Sequence, residues 1–97
     1  MTTRRIAVIG LGQRIASVLA AMKEVGWDLR VDGYVDPNPV GASILKFAGI
    51  LPGKAFENPQ ALLADGPYDL VMIGSPNHLH LGHLTEAMAA GYPVFCE

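Results

Sequence analysis

Two short stretches carry residue types whose chemistry depends on where they stand. Gly10-Leu11-Gly12 joins an apolar run, Arg5 to Ile9, to a segment of helical periodicity. Glycines at such a junction permit a tight turn and let the backbone come close to a pyrophosphate. The N–H groups of Gln13, Arg14 and Ile15 would stand unpaired at the helix start, aligned with its dipole, so the turn reads as an anion site. A Gly-x-Gly is common, and an ordinary tight turn is the competing reading. The usual third glycine is missing: Ile15 stands in its place, Ala16 follows, and the pattern is Gly-x-Gly-x-x-x-Ala. Asp36 lies at the end of the second strand that Leu29 to Val35 suggests, where a carboxylate can accept hydrogen bonds from both hydroxyls of an adenosine ribose. A 2′-phosphate there would meet negative charge, and Pro37-Asn38-Pro39 supply no compensating cation, so NAD is expected in preference to NADP. The alternative is an aspartate that only opens the turn before Pro37.

His78, His80 and His83 raise a metal reading. On a helix, at ~100° per residue, only His80 and His83 share a face. A zinc site also needs a third ligand and a second shell, so no metal site is expected. His80 reads equally well as a helix-start residue bonded to backbone, and His78 and His83 read as surface residues. The single cysteine, Cys96, has no partner for an intramolecular disulfide and no neighbouring cation to activate it. It is expected to be a small buried filler.

These groups need strands and helices to hold them. Arg5 to Ile9 is short, β-branched and bounded by glycine, as a strand buried on both faces of a parallel sheet would be. Ile15, Val18, Leu19, Met22 and Val25 then recur at helical spacing until Gly26. Leu29 to Val35 reads as a second strand. Asn38 would cap a helix with Pro39 at its first position, running to about Ala48. A weak third strand lies around Lys54 to Phe56, and Asn58-Pro59 repeats the cap ahead of Gln60 to Ala64. Asp69 to Ile73 is a fourth strand, Leu81, Leu84 and Met88 mark the face of a helix ending at Gly91, and Pro93 to Phe95 begins a fifth strand. Strand–helix alternation of this kind produces a doubly wound parallel α/β sheet of order 3-2-1-4-5.

After the fourth strand comes Ser75-Pro76-Asn77-His78-Leu79-His80, and after the next helix Ala90-Gly91-Tyr92-Pro93-Val94-Phe95-Cys96-Glu97. With the glycine turn and Val35-Asp36-Pro37-Asn38-Pro39, these segments resemble the N-terminal NAD(P)-binding domain of the Gfo/Idh/MocA oxidoreductases, the glucose-fructose oxidoreductase and inositol dehydrogenase-like family. The likeness spans essentially the whole chain. The family reads Thr or Ser-Pro-Asn-x-x-His, then Ala-x-x-x-Gly-x-x-Val-x-x-Glu-Lys-Pro. It implies a Rossmann-like single domain over residues 1–97, with Ser75, Pro76 and Asn77 beside the nicotinamide ribose and pyrophosphate, and His80 facing the same cleft. Glu97 matches the glutamate of Glu-Lys-Pro. The family's lysine, its usual candidate for assisting proton transfer, has no counterpart here, so no catalytic residue is expected within the chain. The resemblance thus implies the dinucleotide-binding part of a longer two-domain enzyme that moves hydride between the cofactor and a sugar, polyol or related secondary alcohol. The rivals are a non-enzymatic nucleotide-binding or redox-sensing module, and a Rossmann-like domain for S-adenosylmethionine or coenzyme A. The Ser-Pro-Asn-x-x-His segment argues against both.

Composition agrees with that picture. Ninety-seven residues bound one compact domain, and 51% hydrophobic with 16% charged residues suits a sheet buried on both faces. A net charge of −2 with dispersed Lys and Arg offers no field for nucleic acid. No stretch approaches the ~20 apolar residues of a membrane span, and Gln13 and Arg14 interrupt the N-terminal apolar run too early for a signal peptide. A soluble, cytoplasmic protein is expected, with a tendency to self-associate.

Overall fold

A computed structural model describes residues 3–97, and of Asn77 the backbone alone. Five strands, β1 (Arg4–Ile9), β2 (Leu29–Val35), β3 (Lys54–Ala55), β4 (Leu70–Ile73) and β5 (Val94–Cys96), form one parallel sheet of order β3-β2-β1-β4-β5. Four helices connect them: α1 (Gln13–Glu24), α2 (Ala42–Phe47), α3 (Pro59–Ala64) and α4 (Asn77–Ala89). The order reverses at β1, so its neighbours are β2 on one side and β4 on the other.

Alternation along β1 divides the core. Ile6 and Val8 join Ile15, Leu19 and Leu45 on the α1 and α2 face. Ala7 and Ile9 join Leu62, Val71, Ile73 and Ala87 on the α3 and α4 face. Successive strand residues point to opposite faces, and Ile6 to Ile9 are all at most 1% exposed. This double burial is what the unbroken apolar run requires.

Three expectations about the elements fail, each for a physical reason. Asn38-Pro39 does not start α2, which begins at Ala42 behind Gly41. The Asn38 N–H is instead held by Asp36 Oδ1 at 2.8 Å, and Gly41 N–H donates to Leu11 O at 3.0 Å. Residues 36–41 are therefore laid against the glycine turn, and a Cβ on Gly41 would overlap Gly12 O. On α4, Leu81 and Met88 are 75% and 63% exposed, while Ala87 is buried and His80, His83 and Leu84 half-buried. The inward line lies one residue away from the one that the leucines suggested, and its polar members hid it. Cys96 is exposed and not buried, because β5 is an edge strand with a poorly covered outer face.

Candidate functional site

The carboxyl ends of β1, β2 and β4 are stitched together above the core. Gly10 N–H donates to Val35 O and Gly74 N–H to Ile9 O, each at 2.8 Å, and Glu97 N–H donates to Ile73 O at 3.2 Å. At the centre Gly10 takes φ +83°, and a Cβ there would overlap Ser75 N. Only glycine fits that backbone and that approach. Gly74 answers the missing third glycine: a Cβ on it would overlap Ile15 Cγ1. The bulk that Ile15 brings to α1 is thus accommodated by a bare position on the neighbouring strand.

Gly12 is different in kind. Its φ is −88° as the N-cap of α1, and a Cβ there would meet nothing within 4 Å. The first turn of α1 has no acidic residue and no side-chain cap, and its first intrahelical bond is Ala16 N–H to Gly12 O at 3.1 Å. The N–H groups of Gln13, Arg14 and Ile15 precede that bond, so they are the orphan donors of the helix start. The Ile15 side chain is fully buried, which leaves only its backbone to meet a ligand.

This open helix end borders a cleft of about 680 Å³ whose lining includes Gly10, Gly12, Asp36, Ser75, Pro76 and Glu97. The volume is that of a typical small-molecule site, and it lies where the strand order reverses, where doubly wound sheets bind ligands. Asp36, half-buried, commits Oδ1 to its own turn and also lines the cleft. A second recess of about 400 Å³ adjoins, lined by Gln13, Arg14, Ser75, His80 and Glu97 among others. Arg14 Nε stands 3.6 Å from Glu97 Oε2, a mostly solvated pair of little strength. The Asn77 side chain lies outside the described residues.

The histidines divide. His78 is exposed. His80, read either as facing the cleft or as a helix-start residue bonded to backbone, lines the recess, and its Nε2 is buried with no hydrogen-bond partner. His83, expected at the surface, lines the larger cleft, and its Nδ1 lies 2.8 Å from Oγ of the buried Ser75. The signal available was the shared helix face of His80 and His83. Gly41 and Gly74 gave none, since their roles come from through-space approach. Among the described residues no group of three metal-ligating side chains occurs.

Residues 4–97 match the model of the Gfo/Idh/MocA oxidoreductase family, NAD-binding Rossmann fold. The chain belongs to this family. Inositol 2-dehydrogenase of Paracoccus denitrificans (strain Pd 1222) is 31% identical over 98% of the chain and 28% of its own length. D-glucoside 3-dehydrogenase of Escherichia coli (strain K12) is 33% identical over 96% and 26%. An oxidoreductase from Agrobacterium radiobacter, solved in complex with NAD+, L-tartaric acid and magnesium, superimposes with a TM-score of 0.75 at 26% identity, covering 98% of this chain and 27% of that one. The chain therefore spans about a quarter of the length of the curated relatives it matches. Membership in the Gfo/Idh/MocA family identifies an NAD-binding oxidoreductase fold and decides against the S-adenosylmethionine and coenzyme A classes. Among the described residues, no helix is long and apolar enough to cross a membrane.

Proposed function

We propose that the cleft holds NAD(H) in extended form. The adenosine ribose is bound at Asp36, the pyrophosphate over Gly10, Gly12 and the N–H groups of Gln13, Arg14 and Ile15, and the nicotinamide half beside Ser75, Pro76, Asn77, His80 and Glu97. The observation that carries this reading is the bare start of α1: Gly12 faces open space at a helix end with no cap and no acid. An anion is favoured there by unpaired donors and by the dipole. The cleft volume and the NAD+ complex of the Agrobacterium oxidoreductase support it.

The chain is in this reading the N-terminal dinucleotide-binding domain of a longer, two-domain oxidoreductase acting on a sugar, polyol or related secondary alcohol. Its relatives by name are an inositol and a glucoside dehydrogenase. The cofactor, when bound, supplies the hydride chemistry, and the protein supplies binding, orientation and electrostatics. A cytoplasmic setting, where the lone exposed thiol of Cys96 stays reduced, belongs to the same proposal.

Calorimetric titration tests the reading through Asp36. A like charge brought against the carboxylate costs on the order of several kcal/mol, so NAD+ should bind at least roughly tenfold more tightly than NADP+. Asp36→Ala should narrow that ratio by weakening NAD+ and relieving NADP+. Equal wild-type affinities for the two would sink the assignment of Asp36.

A further inference from the structure

We propose that His83 is a positioning residue of this cleft: its ring fixes the Ser75 hydroxyl so that the oxygen reads a ribose hydroxyl on the nicotinamide side of the dinucleotide. The inference rests on the cofactor reading above and adds to it a residue outside the Ser-Pro-Asn-x-x-His segment.

Serine hydroxyls near a helix start commonly bond backbone within their own turn. Ser75, only 6% exposed, instead pairs with a side chain on the second turn of α4, Nδ1 of His83 at 2.8 Å. Three elements impose that meeting. The close approach of Gly10 holds the Ser75 backbone against the end of β1. Pro76 starts α4 at once, with Leu79 N–H bonded to Pro76 O at 2.8 Å. Burial of Ala87 one turn further on turns the line His80, His83, Ala87 inward.

Location gives the pair its partner. Ser75 and His83 both line the larger cleft, and Ser75 lines the smaller recess as well. Ser75 therefore borders both spaces. In the order β2-β1-β4, Asp36 stands on one side of the glycine turn and Ser75 on the other. A dinucleotide with its adenosine ribose at Asp36 and its phosphates over α1 brings only its nicotinamide half to the β4 side. A serine hydroxyl has one proton and two lone pairs. In the tautomer that carries its ring proton on Nε2, His83 Nδ1 accepts the Ser75 proton, and the serine oxygen keeps its lone pairs to accept from a ribose hydroxyl. Without the ring nitrogen the hydroxyl rotates freely, and its ordering opposes binding.

Two variants separate this role from packing. His83→Phe keeps a ring and removes the nitrogen, whereas His83→Asn keeps a polar group near the Nδ1 position and removes the ring. Affinities for NAD+ and for AMP, which lacks the nicotinamide half, are measured by calorimetry on the full chain, with thermal melts as a control on folding. His83→Phe and Ser75→Ala should each weaken NAD+ by roughly three- to tenfold, the worth of one net hydrogen bond. AMP affinity should stay unchanged, His83→Asn should bind NAD+ better than His83→Phe, and the double variant His83→Phe/Ser75→Ala should be no weaker than the weaker single. Unchanged NAD+ affinity in His83→Phe, equal losses for NAD+ and AMP, or fully additive losses in the double variant would each overturn the proposal while leaving the cofactor reading intact. A wild-type chain that binds AMP and NAD+ equally would overturn it too, and one that binds neither would remove the cofactor reading itself.

Discussion

Gly10 and Gly12 stand two residues apart, yet they are glycine for opposite reasons. Gly10 needs its identity to fold: φ is +83° and a Cβ would overlap Ser75 N, so Gly10→Ala should cost roughly 1–2 kcal/mol for the left-handed backbone alone, with the overlap added. Gly12 has ordinary φ and open space around its missing side chain. Gly12→Val should therefore fold, with an unchanged circular dichroism spectrum. It should lose NAD+ affinity by at least roughly a hundredfold, because it bars the phosphates from hydrogen bonds worth about 1.5–3 kcal/mol each. A folded Gly12→Val protein with native affinity would place the pyrophosphate elsewhere. Tyr68 supplies a test of a different kind. Its hydroxyl donates to Leu62 O at 2.7 Å within the α3 face of the core, and burial, with Asp65 second, pushes its pKa up to about 12. The folded state thus favours the neutral phenol. The stabilisation is whole below the unfolded value near 10 and is lost as pH rises from about 10 to about 12. Tyr68→Phe should be less stable at neutral pH by about 1 kcal/mol for the lost hydrogen bond, but should lose less further stability across that alkaline window. Parallel alkaline melting curves for the two proteins would contradict the assignment.

At the scale of elements, the same sequence device worked once and failed once. Asn58-Pro59 caps α3, Asn58 Oδ1 accepting the Ala61 N–H at 2.8 Å. Asn58→Ala should cost about 1 kcal/mol, a fall in Tm of roughly 4–8 °C for a chain this size, with NAD+ affinity unchanged because α3 does not border the cleft. A Tm within a degree of wild type would show that the cap is idle. Asn38-Pro39 looks alike in sequence, but Asp36 captures the Asn38 N–H and the segment docks on Leu11. A tertiary contact overrode a local propensity there. Strands and α1 were legible because β-branched runs and helical spacing are local signals. The inward face of α4 was not, because beside Leu84 it holds two histidines and an alanine while Leu81 and Met88 look outward. The site divides in the same way. Gly10, Gly12, Asp36, Ser75 and Glu97 could be proposed from strand-end positions and family likeness, and they line one cleft. Helical spacing put His83 on one face with His80, but its meeting with Ser75 and the bare position of Gly74 come from the packing of β1, β4, α1 and α4, which no spacing along the chain encodes.

For the molecule as a whole, the sheet is well covered at its centre and poorly at the β5 edge. Phe95 is 40% exposed on β5, and α4 beside it shows Leu81 and Met88 to solvent at 75% and 63%. Among the described residues β5 pairs with β4 alone, and an unpaired edge flanked by apolar side chains recruits partners. The 97-residue chain should therefore associate in a concentration-dependent way in light scattering, and Leu81→Glu/Met88→Glu should shift it toward monomer without changing NAD+ affinity. A species of monomer mass at all concentrations, with a radius of gyration near the 12.0 Å of the single chain, would refute this. Catalysis should be absent in the same preparation. None of Lys23, Lys46 and Lys54 lines the cleft or its side recess, so neither space offers a lysine amine to accept the hydroxyl proton as hydride leaves an alcohol. No NADH should form from inositol, glucose or other polyols at saturating NAD+. Turnover by this chain would assign the proton to a group already present, and His80, with a buried and unpartnered Nε2 beside the recess, would be the first to replace.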